Sequence, residues 1–491
     1  MEALQNILYG FSVALTPVNL FYCLLGCIIG TLVGVLPGLG PAAAISLLLP
    51  ATFRLDITGA IIMLAGIYYG AMYGGSTTSI LVNIPGETSS VMTCIDGYQM
   101  AKQGRAGPAL GIAAFGSLIA GTISVIGLML LAPILAEGAL RFGPPEYFTL
   151  MIMSLSLTTY LARGSMVKAL MMACLGLILG VIGSDPVTGK LRFVYNITVL
   201  RGGLGMVPVL MGLFGVAEVL SNIGSSENRA VVKTKIRGIL PTVKDWKDSL
   251  PPIIRGSFLG FILAILPGVG LSIPTFLSYG MEKKLSKTPE RFGTGAIEGV
   301  AGPEAANNGA AGGTFVPMIS LGIPPNATMA LLLGALMLHG VQPGPLLIQN
   351  RPEIFWGLIS SMYIGNIILL ILNLPLIAIW VQVLRVPYNY LFSMIFLLCL
   401  IGSYSLNNLV GDVAIMVIFG GIGYLLKYFR YEAPPLILAL ILGPIIEDSF
   451  RQSLTISEGS FSIFFTRPIA GVFLLATLLS IGLGLFRRRL S

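Results

Sequence analysis

Two short runs combine oxygen-bearing side chains with a proline turn inside apolar sequence. The first is Ser76-Thr77-Thr78-Ser79, followed by Asn83-Ile84-Pro85-Gly86-Glu87-Thr88-Ser89. The second begins at Glu304, Asn307 and Asn308 and continues through Gly322-Ile323-Pro324-Pro325-Asn326 to Thr328. A hairpin dipping into a membrane and turning at Pro85-Gly86 would gather hydroxyls, an amide and a carboxylate at its tip. Asn307 and Asn308 offer neutral oxygens of the kind that bind a cation. Two bends, Pro37-Gly38-Leu39-Gly40 and Pro267-Gly268-Val269-Gly270, add further break points. Proline removes a backbone donor and glycine permits the turn. Broken helix ends then expose N–H groups that attract anions and carbonyls that coordinate cations. Blander readings exist for each: a surface turn for the first run, helix-packing amides for the second, simple kinks for the bends.

Catalytic patterns are missing. The sequence holds no G-x-S-x-G, H-E-x-x-H or Walker A run, so neither a hydrolase nor an ATP-driven pump is expected. The five cysteines have no metal-ligand spacing and fall mostly in apolar stretches. The single histidine, His339, has no acid or nucleophile beside it and reads as structural. Intramembrane acids are usually functional, which singles out Glu87, Asp96, Glu218, Glu304, Asp412 and Glu447. Of these, Glu218 and Glu447 lie at segment ends, and Asp412 suits a helix start.

The elements that must carry these residues are membrane helices. The chain has 491 residues, 55% of them apolar and only 10% charged. An average soluble domain is about 25% charged, so a soluble enzyme, a disordered chain and a disulfide scaffold are excluded. Apolar runs recur from end to end, enough for about a dozen spans of ~20 residues, which excludes a simple anchor. The N-terminus lacks the marks of a cleaved signal peptide. The net charge of +8 gathers in loops, notably Arg229, Lys233, Lys235, Arg237, Lys244 and Lys247, as positive-inside anchoring requires. No basic, aromatic-interleaved face suggests nucleic acid.

The 61 glycines and 30 prolines are too many for plain spanning helices, and their placement repeats. Gly26, Gly30, Leu36, Pro37, Gly38 and Gly40 recur 230 residues later as Gly256, Gly260, Leu266, Pro267, Gly268 and Gly270. Gly74-Gly75 before Asn83-Ile84-Pro85 is answered by Gly312-Gly313 before Gly322-Ile323-Pro324. The chain therefore divides into a first membrane repeat (1–222), a charged linker (223–252) ending at Pro251-Pro252, a second membrane repeat (253–455) and a C-terminal helix with a basic tail (456–491). The fold class expected is an all-α polytopic membrane protein with two repeats, re-entrant hairpins and broken helices. Matched Gly/Pro interruptions in two halves point to the binding site of a secondary transporter. The loop after the first bend carries Arg54 and Asp56, whereas its counterpart carries Lys283, Lys284, Lys287 and Arg291. That asymmetry favours opposite membrane sides, hence inverted repeats.

The runs Gly30–Gly40, Asn83–Glu87, Glu304–Asn308 and Leu333–Pro345 resemble the large membrane subunit of the tripartite tricarboxylate transporter family (TctA-like), across nearly the whole chain. The resemblance implies a multi-pass protein of a bacterial inner membrane. Its partners would be a small four-helix membrane subunit (TctB-like), a periplasmic solute-binding protein (TctC-like) and a di- or tricarboxylate solute such as citrate. Transport would be symport with sodium, or else protons, with no cofactor and elevator-like alternating access of an ion-transporter-superfamily fold. Carried onto this sequence, substrate contacts fall to Ser76, Thr77, Thr78, Asn83, Pro85, Gly86, Glu87, Thr88, Ser89, Gly322, Pro324, Pro325, Asn326 and Thr328. Cation contacts fall to Gly38, Gly40, Asn83, Gly268, Gly270, Glu304, Asn307 and Asn308. One departure stands out: the family's second tip usually reads Ile-Pro-Gly-Ser, and here Pro325 forbids the φ > 0 geometry that glycine allows. The rival readings are a passive anion channel and a secondary transporter of an unrelated small solute.

Overall fold

The computed structural model describes residues 2–36, 39–162, 165–222, 238–384 and 388–487. The first half contains α1 (Glu2–Ala14), α2 (Pro17–Val35), α3 (Pro41–Thr52), α4 (Ile57–Val82), α5 (Val91–Lys102), α6 (Ala106–Ala139), α7 (Pro144–Tyr160) and α8 (Met166–Gly180). A two-residue-per-strand hairpin, β1 (Gly183–Ser184) with β2 (Leu191–Arg192), precedes α9 (Met206–Leu210), a π-helical turn (Met211–Val216) and α10 (Ala217–Asn222). The second half contains α11 (Val243–Ala264), α12 (Ser272–Leu285), α13 (Glu298–Gly313), α14 (Phe315–Leu321), α15 (Ala327–Leu338), α16 (Leu347–Asn350) and α17 (Pro352–Asn373). It ends with α18 (Ile377–Val383), α19 (Tyr388–Asn407), α20 (Val410–Tyr428), α21 (Ala433–Ile456), α22 (Ile463–Thr466) and α23 (Pro468–Arg487). Among the described residues, α2, α4, α6, α17 and α20 are long and apolar enough to cross a bilayer, and shorter apolar helices fill in around them. The protein is an all-α polytopic membrane protein.

Glycine decides how the central helices meet. A Cβ on Gly26, Gly30 or Gly34 would lie 2.3 Å from the carbonyl oxygens of Met63, Ile67 and Ala71 in turn. Rising numbers on both sides mean that α2 and α4 run parallel in near backbone contact. In the second half, a Cβ on Gly256 or Gly260 would lie 2.4 and 2.2 Å from the carbonyl oxygens of Gly302 and Ala306, so α11 and α13 are also parallel. Lipid tails are as apolar as leucine, so close van der Waals approach of small residues drives such pairings. Across the halves, α4 and α13 are antiparallel: Tyr68 meets Thr314 at 3.3 Å and Ser76 meets Glu304 at 2.5 Å.

α11 and α12 form a helical hairpin closed at Pro267–Gly270, with Arg255 paired to Glu282 across it. Gly268 and Gly270 take φ of +83° and +63° at that tip, which only glycine adopts cheaply. α11 starts earlier than the sequence predicts. Thr242 caps it by accepting from the Asp245 N–H while Asp245 accepts from the Thr242 N–H, a reciprocal capping box. The last ten residues of the expected linker are therefore helical, with Pro251 and Pro252 inside the helix. Arg229, Lys233, Lys235 and Arg237 lie outside the described residues.

Ion pairs define the two ends of the bundle. At one end, next to the linker, Arg105 pairs with Asp245 at 2.5 Å, Lys427 pairs with Glu218, and Lys168 donates to the Phe429 carbonyl. The β-hairpin, the C-terminus of α8 and the start of α9 lie at the other end. There Arg192 and Arg451 both bond Asp185 and Glu447.

Candidate functional site

The polar residues converge where the break after α4 faces α13. α4 ends at Asn83, whose φ of 60° is left-handed, a conformation asparagine tolerates better than most residues. Residues 83–90 then fold back along α4, bringing Glu87 and Ser90 against Gly75. α5 afterwards resumes the direction of α4, since Gly97 reaches Ile80. At Pro85-Gly86 the chain is thus a doubled-back loop between α4 and α5, whereas α11 and α12 close a helical hairpin at Pro267–Gly270. Gly86 is needed for space rather than for φ: a Cβ there would sit 2.2 Å from the Gly34 carbonyl oxygen and 2.5 Å from Gly75 Cα.

Two carboxylates occupy the centre. Glu87 accepts from Asn307 Nδ2 at 2.9 Å. Glu304, fully buried, accepts from Ser76 at 2.5 Å and from Thr93. Asn308 Nδ2 donates to Ser117 at 2.7 Å and to the Glu304 carbonyl at 3.1 Å. The Oδ1 atoms of Asn307 and Asn308 are buried without a hydrogen-bond partner. Among the described residues, neither Glu87 nor Glu304 has a cationic side chain within ion-pair distance. A buried carboxylate without a counter-ion is costly, and two unfilled amide oxygens lie beside this pair.

The second break is shaped differently. Gly322 carries the left-handed turn at φ 71°, so Pro325 is not asked for positive φ and the Ile-Pro-Pro-Asn departure costs nothing there. The Pro325 carbonyl accepts from the Gly268 N–H at 3.0 Å, joining this break to the hairpin tip. Asn326 caps α15 by accepting from Met329 N–H at 2.9 Å, its Nδ2 buried without a partner. It lies beside the Tyr68 hydroxyl. The two breaks are linked through the hairpin, because Ser272 at the start of α12 donates to Thr88 at 3.1 Å.

The other expected residues spread around this centre. Thr78 bonds the Val35 carbonyl at 2.8 Å and Ser79 the Gly75 carbonyl at 2.9 Å, so both hydroxyls are engaged locally. Thr77 lines a small cavity of about 10 Å³ with Ser76, Ser117 and Asn373. Ser89 is buried with a free hydroxyl, Pro324 is buried, and Thr328 is half-buried. Gly40 caps α3, Gly270 shapes the hairpin tip, and Gly38 lies outside the described residues. Sequence reading missed Tyr68, Thr93, Ser117 and Ser272. Each sits within an apolar or mixed helix far along the chain, and only its partner gives it meaning.

The remaining acids are structural. Asp96 accepts from the N–H groups of Gly293, Gly295 and Ala296 and from Tyr279, anchoring the loop before α13. Glu218 and Glu447 form the end-face ion pairs, and Asp412 accepts from Asn407 at 2.8 Å near the start of α20. His339 stacks on Phe53 and approaches Thr52 at 3.4 Å.

A many-helix membrane protein with buried carboxylates and amides collected at its helix breaks has the build of a solute transporter. Residues 20–438 match the tripartite tricarboxylate transporter TctA family, and the chain belongs to that family. It is thereby a subunit of a tripartite tricarboxylate transport system. An uncharacterized 52.8 kDa protein of Agrobacterium vitis, from the region 3′ of ttuC′ in TAR-I, is 48% identical over 98% of this chain and 95% of its own length. A second Agrobacterium vitis protein, uncharacterized and from the corresponding TAR-II region, is 49% identical over 46% of this chain and 90% of its own. No solved structure matches the chain.

Proposed function

We propose that this protein is the translocating subunit of a secondary active importer. It carries a di- or tricarboxylate in symport with a cation, sodium in preference to protons, across a bacterial inner membrane. A periplasmic binding protein delivers the solute and a small four-helix subunit completes the assembly. The observation that carries the reading is the unpaired carboxylate cluster: Glu87 and Glu304, with the open oxygens of Asn307 and Asn308, offer hard ligands suited to an alkali cation. Two parallel helix pairs with glycine contacts 230 residues apart, α2/α4 and α11/α13, set antiparallel to each other, support an inverted repeat of 1–222 and 253–455. The closed hairpin at Pro267–Gly270 supports a re-entrant element, and together these favour elevator-type movement of the site between the two faces.

The test is uptake of radiolabelled citrate and other carboxylates by proteoliposomes holding this subunit with its two partners. Saturable uptake that collapses when the sodium gradient is dissipated is expected. Uptake indifferent to both sodium and pH gradients overturns the coupling. Linear, unsaturable flux would point instead to a channel.

A further inference from the structure

The two helix breaks sit in matching frames but carry opposite chemistry. Packing sets the correspondence: Met63 and Gly302 receive the equivalent glycines of α2 and α11, as do Ile67 and Ala306. Asn83 and Gly322 are the two left-handed turns. All three pairs are 239 residues apart. The same spacing equates Glu87 with Asn326, Asn307 with Tyr68, Asn308 with Tyr69, and Glu304 with Ala65. The contact equates as well, since Glu87 bonds Asn307 at one break and Asn326 lies beside Tyr68 at the other.

At the first break the open groups are mostly acceptors: two carboxylates and the unpartnered Oδ1 atoms of Asn307 and Asn308, with the Ser89 hydroxyl near them. Glu304 also takes the hydroxyl of Thr93, in the first turn of α5. A carboxyl group of the protein itself therefore already lies against the first turn of that helix. At the second break the open group is a donor, Asn326 Nδ2, with the Tyr68 and Thr314 hydroxyls alongside. The position that would supply a carboxylate is Ala65. The first turn of the twelve-residue α15 lies there, and its cap, Asn326, is neutral.

We infer that the breaks have divided the work. The first, with Glu87, Glu304, Asn307 and Asn308, holds the coupling cation. The second, with Tyr68, Asn326 and the start of α15, receives a carboxylate group of the solute. A solute carboxylate at the first break would meet two carboxyl groups at close range, whereas the second break presents a hydrogen-bond donor with no opposing carboxyl group. This rests on the carboxylate–cation reading above, and it reassigns Glu87 from solute to cation.

The experiment measures two affinities on the purified full-length protein: ²²Na⁺ binding without carboxylate, and labelled citrate binding at saturating sodium. Separating them in this way removes the coupling that would otherwise mix the two. Tyr68→Phe deletes one hydroxyl, and Asn326→Asp keeps the helix cap while reversing the donor. Both are expected to weaken citrate at least tenfold and to leave sodium within about twofold. Glu87→Gln and Asn307→Ala are expected to do the reverse. Thermal unfolding checks that each variant is folded; should Asn307→Ala fail that check, Asn307→Ser replaces it. Wild type binding neither ion overturns both this inference and the transport reading. Wild type binding both, with Tyr68→Phe and Asn326→Asp leaving citrate unchanged or weakening sodium instead, overturns the division of work alone.

Discussion

Gly86 and Asp96 illustrate how single residues fix the site without touching a solute. Gly86 lies where the returning loop crosses both α2 and α4, and the atoms a methyl group would strike belong to backbone. Gly86→Ala should push the 83–90 loop away from Gly75 and lift Glu87 off Asn307. We expect transport to be lost and thermal stability to fall by roughly 1–3 kcal/mol, the range for overpacking, while Asn83→Gly is tolerated. Asp96 satisfies three backbone N–H groups at once. Asp96→Ala leaves them buried and unpaired, a loss of about 2–4 kcal/mol, whereas Asp96→Asn keeps one acceptor oxygen and should cost less. Thermal unfolding in detergent measures both, and equal stability of Asp96→Ala and wild type would contradict the anchoring role.

Among the elements, the glycine seams set the distances on which the site depends. α2 and α4 approach so closely that Gly30 admits no side chain. Gly30→Leu should separate them by several ångströms, in effect moving Ser76 away from Glu304 across the α4–α13 seam. The expected result is a protein that inserts in the membrane but unfolds well below wild type and binds no sodium. Gly280, on the other hand, has open space around its Cβ, and Gly280→Ala should leave stability and binding intact. A similar loss in both variants would show that glycine content rather than seam geometry is what matters. Helix breaks behave differently from seams. In each, one left-handed residue turns the chain, Asn83 at the first break and Gly322 at the second, and that residue is the C-cap of the preceding helix rather than the proline that follows it.

Across the whole molecule, charge and topology make two further predictions. The basic linker and the Arg487-Arg488-Arg489 tail assign the linker end to the cytoplasm by the positive-inside rule. The β-hairpin end, where Tyr195 is 80% exposed, then faces outward. In a cysteine-free background, Tyr195→Cys should react with an impermeant maleimide on intact cells and Lys287→Cys only after permeabilisation. The opposite pattern would reverse the orientation, and equal labelling would contradict placing the two loops on opposite sides. At the β-hairpin end, desolvation pushes the Asp185 carboxyl up, but the Val187 and Thr188 N–H groups and Arg451 outweigh it and hold it below the usual carboxylate range. A depressed carboxylate stabilises the fold above its unfolded value, near pH 4. That stability is lost as pH falls through the lower folded value. Wild-type melting temperature should therefore drop below about pH 4, and Asp185→Asn should melt lower at neutral pH with a flatter acid limb.

Taken alone, the sequence determined the class of protein and the places where its helices break. Apolar content beyond what a soluble surface allows, glycines recurring at a fixed offset, and prolines at matched positions are all local or periodic signals, and backbone chemistry makes them legible. It also marked Glu87, Glu304, Asn307 and Asn308 as the polar residues to watch. What it could not supply was pairing. That Glu304 reaches back 228 residues to Ser76 and 211 to Thr93, that Ser272 meets Thr88, and that Tyr68 stands where the other half has Asn307 are facts of helix packing. No spacing along the chain encodes them, because they depend on the antiparallel docking of α4 against α13. Only that docking separates an acceptor-rich break from a donor-rich one.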